Sequence, residues 1–226
     1  MDDYSPEWPI ILLSARVALA ATAIMTVPGI LTAWYLARRK NPITFFVENL
    51  VQLPLVLPPV VTGLLLLMFL GPRGKGGQLL NDLFGIELAF TSAGAAIAAG
   101  VMSFPLLVQT FRIAIEQIDP EWEEAVSVYG GGRWAAFRWV TFPLSIKGII
   151  AGVVLGFARA IGEFGATIVF AGNIPGRTQT IPLAVFTKLG QVGMEAPLIR
   201  LVLIAVVLSV FSLSIHAYLS SRLTRT

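Results

Sequence analysis

Five long apolar stretches constrain this chain more than any other feature of its sequence. They cover residues 10–36, 45–70, 89–111, 146–170 and 199–219. An α-helix rises about 1.5 Å per residue, so about 20 apolar residues cross the hydrocarbon core of a bilayer. Hydrophobic residues make up 56% of the chain and charged residues 13%, a mixture too apolar for a soluble fold. The sequence therefore predicts an all-α membrane protein of about five transmembrane helices, forming one domain over residues 1–226.

Two of the predicted spans contain residues that disturb a regular helix. The first is expected to be broken at Thr26-Val27-Pro28-Gly29, and the second holds Pro54, Pro58, Pro59 and Gly63. Missing backbone donors inside a membrane are tolerated only where neighbouring helices, side chains or water replace them. A kinked second helix that lines a translocation path is one interpretation of Pro58 and Pro59. A kink that serves helix packing alone is equally compatible with either proline.

Two segments between spans have less regular patterns. The segment 71–87 is expected to be a polar loop. In the segment 171–198, the apolar part 181–189 has about half the length needed to cross the bilayer. We expect a short helix or a re-entrant turn there, on the outer side of the membrane.

The longest polar stretch, residues 119–147, predicts two short helices. Asp119 is a good N-cap residue, and Pro120 suits the first helical position because its missing N–H is not needed there. Gly130–Gly132 are expected to end this helix, and Phe142-Pro143 to end a second one. Two amphipathic helices of this size cannot bury both faces alone, so we expect the loop over 119–145 to dock on another protein.

The distribution of lysine and arginine predicts the orientation of the chain. Cytoplasmic loops of membrane proteins carry an excess of these residues. With the N-terminus outside and the C-terminus inside, nine lie in inner segments and five in outer ones. The inner ones are Arg38, Arg39, Lys40, Arg112, Arg133, Arg138, Lys147, Arg222 and Arg225, and the outer ones are Arg73, Lys75, Arg177, Lys188 and Arg200. This orientation places the loop over 119–145 in the cytoplasm.

No catalytic or metal-binding constellation is visible in the sequence. There is no cysteine and a single histidine, His216, which excludes a thiol nucleophile, a His-based nucleophile system and a His/Cys metal cluster. The glycine-rich segment 71–77 lacks the spacing of a nucleotide-binding loop. The basic residues are scattered at loop ends, unlike a nucleic-acid-binding surface. Energy for any transport must therefore come from a separate partner or from a gradient.

Arg159 and Glu163 form the most informative pair inside a predicted span. They are four residues apart, on one face of the fourth predicted helix. Ionisable groups inside a membrane are costly and usually face a bundle interior or a wet cavity. One interpretation is a structural ion pair, and the other is a cavity lining in which Arg159 attracts an anion. The structural pair is favoured, because Glu163 would partly cancel the field of Arg159.

The loop over 119–145 also contains a motif with a defined spacing. Glu124-Ala125-Val126 is followed after three residues by Gly130 and, after nine more, by Val140-Thr141-Phe142-Pro143. This spacing closely resembles the EAA loop of ABC importer permeases, whose pattern is Glu-Ala-Ala, three residues, Gly, nine residues, Ile-x-Leu-Pro. Val126, Val140 and Phe142 replace the Ala, Ile and Leu of that pattern. An ordinary amphipathic loop between two spans is the alternative interpretation.

The resemblance implies a role for this loop. In that family it faces the cytoplasm and seats in a groove on a separate ATPase subunit. The candidate coupling residues in this chain are Glu124, Ala125, Gly130, Arg133, Val140 and Pro143. A glycine at position 130 would let the chain turn tightly inside such a groove.

Three other stretches narrow the resemblance. Residues 53–63 (LPLVLPPVVTG), 157–176 (FARAIGEFGATIVFAGNIPG) and 178–187 (TQTIPLAVFT) are similar to the permeases of molybdate and tungstate importers, which have sulfate permeases as close relatives. The resemblance implies the type I importer permease fold and a homodimer in the cytoplasmic (inner) membrane. It also implies two cytoplasmic ATP-binding subunits, which would bind ATP and Mg, and an extracytoplasmic oxyanion-binding protein. It implies no cofactor for this chain itself.

The implied function is import of an oxyanion, molybdate or tungstate, by ATP-driven alternating access. Sulfate stays open as a cargo, because selectivity in this family lies largely in the binding protein. A gradient-driven transporter or channel and a structural membrane subunit are the alternatives from other classes. Secondary transporters often show inverted repeats, and no repeat is visible in this sequence.

Overall fold

The structure is a computed structural model that describes residues 7–189 and 191–223. Arg225, one of the residues behind the predicted orientation, lies outside the described residues. The described residues form eleven α-helices and no strand. The helices are α1 Glu7–Arg38, α2 Pro42–Val56, α3 Pro59–Leu70, α4 Lys75–Phe84, α5 Ser92–Glu116, α6 Pro120–Val128, α7 Arg133–Ala136, α8 Phe142–Ile161, α9 Gly165–Phe170, α10 Ile181–Lys188 and α11 Glu195–Leu223. A π-helical turn over Phe137–Thr141 joins α7 to α8.

Four helical stretches of the described chain are long and apolar enough to cross a membrane. They are Glu7–Arg38, Ser92–Glu116, Arg133–Ile161 and Glu195–Tyr218. A fifth crossing arises if α2 and α3, which meet at an angle of 115°, form one span together. The predicted all-α membrane fold with about five spans is confirmed.

The break in the second span follows from its paired prolines. Leu57 and Pro58 each precede a proline, and both adopt extended backbone with ψ values of 141° and 133°. The residue before a proline is sterically biased away from the helical region. Two such residues in succession end α2, and Pro59 then begins α3, where its missing N–H does no harm. We expected one kinked helix here. The structure instead has two separate helices, which meet at 115°.

The break expected in the first span at Thr26–Gly29 is wrong. Helix α1 is continuous from Glu7 to Arg38 with Pro28 inside it. Gly29 lies directly against α5, where a Cβ on this residue would lie 3.2 Å from Phe111 Cε2. Packing on a neighbouring helix therefore keeps α1 helical although Pro28 lacks a donor.

Small residues allow the central helices to approach closely. Helices α1, α5 and α8 pack against one another. The buried residues at one of their contacts are mostly alanines: Ala18, Ala21, Ala95, Ala96, Ala99 and Ala160. Seams of small residues are typical of helix packing in lipid, where van der Waals contact, rather than burial from water, drives association.

The fourth predicted span, 146–170, is interrupted. Helix α8 ends at Ile161, and α9 starts at Gly165 after a short irregular segment. The two N-terminal ends of α3 and α9 meet there, since a Cβ on Gly165 would lie 2.6 Å from Pro59 Cβ. The two interrupted spans are therefore in contact at their breaks.

The connecting segments 71–87 and 171–198 each contain a short helix, α4 in the first and α10 in the second. The predicted polar loop 71–87 is wrong in part, because α4 forms there and exposes Leu79 and Leu83. Helix α10 occupies the half-length apolar segment, as expected. Arg200 Nη2 of α11 lies 2.8 Å from Glu7 Oε1 of α1, so these two long helices begin at the same end of the bundle. The C-terminal end of α1 lies at the opposite end, beside α6.

Replacing Gly63 with alanine is expected to destabilise the protein by about 1–3 kcal/mol, the cost of adding volume to a packed core. The new Cβ would lie 2.6 Å from Ala166 O, a backbone atom of α9. Thermal unfolding of the detergent-solubilised protein measures the effect. Gly162→Ala is the matched control, because Gly162 has φ −91° and no atom lies within 4 Å of its added Cβ. Equal unfolding temperatures for the two variants would contradict the close contact between α3 and α9.

Candidate coupling loop and intramembrane ion pair

The first half of the loop forms by the local rules that its sequence indicates. Asp119 is the N-cap of α6, and its carboxylate accepts a hydrogen bond from Glu121 N–H at 3.0 Å. Helix α6 ends at Val128, and Gly130 has φ +82°, in the left-handed region that favours glycine. Gly130 N–H donates to Ser127 O at 3.0 Å, which closes the turn. The predicted helix start and glycine stop are both confirmed.

The second half of the loop differs from the prediction. Phe142-Pro143 was expected to stop a separate helix, but the helical backbone continues from Arg133 to Ile161. Pro143 lies in the first turn of α8, and the π-helical turn precedes it. There Phe142 N–H donates to Phe137 O, five residues back, so the chain stays hydrogen-bonded through the junction. The second half of the loop is therefore the first part of a long helix.

The six candidate coupling residues lie on exposed or half-buried positions of this loop. Val140 and Pro143 line a groove of about 640 Å³ between α6 and the start of α8. Trp122, Trp139 and Leu144 line the same groove. The other four candidates, Glu124, Ala125, Gly130 and Arg133, are exposed and lie outside the groove lining. The structure thus brings Val140 and Pro143 together and leaves the other four on the outer surface of the loop.

A different acid, Glu123, makes the polar contacts that hold α6. Arg38 Nε at the end of α1 lies 2.9 Å from Glu123 Oε1, and their side chains are 12% and 18% exposed. Thr141 Oγ1, at the end of the π-helical turn, donates to the same oxygen at 2.6 Å. Residue-type reasoning missed Glu123, because Glu121, Glu123 and Glu124 are equally suited to a first helical turn.

Arg38 also donates hydrogen bonds to backbone carbonyl groups near the C-terminal end of α5. Its Nη2 donates to Ile115 O at 3.0 Å and to Ile118 O at 3.1 Å. The last carbonyls of a helix have no partner within the helix, and side-chain donors commonly complete them. One guanidinium therefore contacts α5 and α6 from the end of α1.

A cluster of aromatic side chains holds the segment that follows Gly130–Gly132 against α1. Trp34 of α1 lies 4.7 Å, centroid to centroid, from Phe137, and Trp134 lies 5.2 Å from the same ring. Phe142 extends the cluster at 6.1 Å from Phe137. Aromatic pairs at such distances contribute about 0.5–1.5 kcal/mol beyond their buried area. They anchor α7 and the π-helical turn on α1.

The Arg159–Glu163 pair is present, but not on one helix face as predicted. Glu163 lies after the end of α8, in the break before α9. Arg159 Nη1 is 2.8 Å from Glu163 Oε2, and Glu163 Oε1 accepts from Ala166 N–H at 2.9 Å. The Glu163 side chain is 2% exposed and that of Arg159 is 29% exposed. One carboxylate thus connects the end of α8 to the start of α9.

The break between α2 and α3, at Pro58 and Pro59, lies against the start of α9. Pro59 Cβ would be 2.6 Å from a Cβ on Gly165, two residues after Glu163. The structure therefore brings the candidate path residues of two different spans to one region of the bundle. Within residues 7–189 and 191–223, no group of three His, Cys, Asp or Glu side chains could hold a metal ion.

Known proteins resemble this chain over almost its whole length. A family profile described as "Binding-protein-dependent transport system inner membrane component" matches residues 29–225. The "Molybdenum transport system permease protein ModB" of Escherichia coli (strain K12) is 47% identical over 215 residues, covering 95% of this chain and 94% of that protein. The "Sulfate transport system permease protein CysT" of the same organism is 35% identical, covering 92% of this chain and 74% of its own.

A solved structure shares the fold at low sequence identity. A chain of the inward-facing MetNI methionine ABC transporter superposes with a TM-score of 0.65 at 15% identity, covering all of both chains. This likeness supports the predicted type I permease architecture.

Removing either partner of the Arg159–Glu163 pair is expected to destabilise the folded protein. Breaking a buried ion pair costs roughly 3–5 kcal/mol in soluble proteins, and the partial exposure of Arg159 places this pair towards the lower value. Glu163→Leu should lower the unfolding temperature more than Glu163→Gln, because glutamine keeps an oxygen for Ala166 N–H. Exchanging the two residues should not restore stability, because an arginine at position 163 cannot accept that bond.

Folded yield and thermal unfolding measure these effects, with Glu195→Gln on exposed α11 as a control variant. An Arg159→Gln variant with unchanged stability and abolished transport would contradict the structural role. That result would instead favour an anion path past Arg159.

Proposed function

Because the chain belongs to the family of binding-protein-dependent transport system inner membrane components, we propose that it is the membrane-spanning subunit of an ATP-driven importer of molybdate. Molybdate is proposed as the cargo because the chain is 47% identical, over 95% of its length, to a molybdenum transport permease. Tungstate, an oxyanion of the same shape and charge, is included in the proposal. Sulfate is the second candidate, supported by the 35% identity with a sulfate permease.

The proposed assembly has a homodimer of this chain, two cytoplasmic ATPase subunits and an extracytoplasmic oxyanion-binding protein. The chain itself hydrolyses no ATP in this proposal; ATP and Mg belong to the ATPase subunits. The exposed surface of α6 and its glycine turn is the contact proposed for the ATPase. Its support is the EAA-type spacing, together with the exposure of Glu124, Ala125, Gly130 and Arg133.

The structure suggests how movement of the loop would reach the membrane interior. The helical stretch Arg133–Ile161 has 29 residues, or about 43 Å at 1.5 Å per residue. It begins in the loop and ends at the Arg159–Glu163 pair, beside the break between α2 and α3. In the proposed alternating-access cycle, ATP binding draws the two loops of the dimer together and opens the outward path, and hydrolysis reverses the motion.

The proposed orientation places the loop in the cytoplasm and the N-terminus outside. A tag inserted at Gly130–Gly132 and a reporter fused after Thr226 should then both be cytoplasmic, whereas a tag at Gly74–Gly77 should be accessible from outside. Protease protection in intact spheroplasts measures this. Cleavage of the tag at 130–132 with protection of the tag at 74–77 would reverse the orientation and remove the ATPase contact.

Two substitutions in the loop test coupling to the ATPase. Gly130→Val is expected to misplace the turn, because a β-branched residue is strained at φ +82°. Glu124→Lys is expected to reverse the charge presented to a partner groove. Each should lower molybdate uptake at least about tenfold, the factor that about 1.4 kcal/mol of interface energy represents. Both variants should insert and dimerise normally, because neither residue lies in a span.

Gly132→Val is the matched control for the turn. Gly132 has φ −81°, and no atom lies within 4 Å of its added Cβ, so this variant adds the same side chain to the turn without backbone strain and should retain more uptake than Gly130→Val. Uptake is measured with labelled molybdate, with tungstate and sulfate as competitors, and co-purification of the ATPase is recorded. Normal uptake in both Gly130→Val and Glu124→Lys would contradict coupling of this loop to an ATPase. A gradient-driven transporter would then become the leading hypothesis.

A further inference from the structure

Helix α6 is held in place by polar contacts rather than by apolar burial. None of its nine residues is buried. It contacts α7 and the π-helical turn, and its half-buried Val126 lies beside Gly131. Burial of apolar area normally positions a helix on a protein, and α6 has little of it. The position of α6 therefore depends strongly on the contacts of Glu123.

The carboxylate of Glu123 connects α6 to both sides of the bundle end. On one side Arg38 donates to it at 2.9 Å, and on the other Thr141 donates at 2.6 Å. Thr141 is fully buried, whereas a helical threonine commonly bonds a carbonyl of its own helix. Its hydroxyl makes a short bond of 2.6 Å to Glu123 of another helix, whereas its contact with Ala136 O of its own helical stretch is long, at 3.5 Å. Charge-assisted hydrogen bonds of this kind are about twice as strong as neutral ones.

Arg38 extends the same connection to α5. Its guanidinium donates to Glu123 through Nε, and through Nη2 to Ile115 O in the last turn of α5 and to Ile118 O just after that helix. A lysine in its place would keep the charge but could not reproduce this planar arrangement of donors. Glu123, Arg38 and Thr141, the Glu123 cluster, therefore join α6 to the ends of α1 and α5 and to the start of α8.

We propose that Glu123 is a positioning residue, and that the Glu123 cluster transmits displacement of α6 to the spans α1, α5 and α8. This inference rests on the proposed function. Glu124, the next residue, is exposed and free to meet a partner, so adjacent acids have different tasks. Glu124 faces the ATPase, and Glu123 fixes the helix that carries Glu124 to the membrane domain. Without the cluster, α6 would still bind the ATPase but would move independently of the bundle.

The test compares Glu123→Gln, Arg38→Lys and Thr141→Val in the assembled complex, reconstituted with its ATPase and the molybdate-loaded binding protein. In each variant the ATPase should co-purify in the wild-type ratio. Molybdate transported per ATP hydrolysed should fall about tenfold, the loss expected for one charge-assisted hydrogen bond. Hydrogen exchange of the α6 amides should become faster by a similar factor, since α6 would open locally more often. Thr141→Ser keeps the hydroxyl and should restore both quantities to within about twofold of wild type.

Glu48→Gln is the matched control for loss of an ion pair. Glu48 Oε1 lies 2.8 Å from Arg112 Nη1, which links α2 to α5 at the same end of the bundle without reaching α6. This variant should change neither the molybdate transported per ATP nor the hydrogen exchange of the α6 amides. Thr141→Val is nearly isosteric, so it guards against a general folding defect in the charged variants.

The outcomes separate this inference from the proposed function. Unchanged transport per ATP and unchanged α6 exchange in Glu123→Gln and Thr141→Val would overturn the inference. Loss of the ATPase from these variants would also overturn it, because Glu123 would then act in binding. If the wild-type complex showed no ATP-driven uptake, the proposed function would fail. The exchange of α6 amides would still report whether Glu123 positions the helix.

Discussion

Every backbone polar group at membrane depth must find a partner inside the protein, because lipid offers none. The two interrupted spans of this chain obey that constraint. At the α8–α9 break, both oxygens of Glu163 are used, one by Arg159 and one by Ala166 N–H. At the α2–α3 break, Pro59 has no N–H to satisfy, and it lies in contact with the start of α9. Each break therefore has a local means of reducing its unpaired polar groups, and the two breaks are in contact.

The candidate coupling loop is stabilised differently, because it lies at the end of the bundle. Its second half is continuous with α8 and anchored on α1 by the packing of Phe137 and Trp134 against Trp34. Its first half, α6, has no buried residue and is oriented by one carboxylate. The loop thus combines a rigid half with a half whose position depends on a few hydrogen bonds. Such a division suits a contact that must bind a moving partner and still be joined to the membrane domain.

Sequence reasoning succeeded where the determining contacts lie within a few residues. The cap at Asp119 and the turn at Gly130 depend on local backbone geometry, and both were predictable. It failed where a distant helix decides the outcome. Pro28 does not break α1, because packing on α5 holds the helix, and the rotation of α6 that selects Glu123 over Glu124 is fixed by Arg38, 85 residues away. The continuity of α7 with α8 was hidden by Phe142-Pro143, which is compatible with either a helix stop or a helix start.

The π-helical turn makes the structure sensitive to the number of residues between Gly130 and Val140. A π-helical turn contains one residue more than an α-helical turn, and each residue rotates a helix by about 100°. Deleting one residue from this interval would therefore rotate Phe137 relative to Thr141, so that the contact of Phe137 with Trp34 and the hydrogen bond of Thr141 to Glu123 could not both be kept. The interval sets the angular phase between the part of the helix that rests on α1 and the part that crosses the membrane. Its length therefore acts as a rotational constraint, in addition to the packing of Trp134 and Phe137 within it.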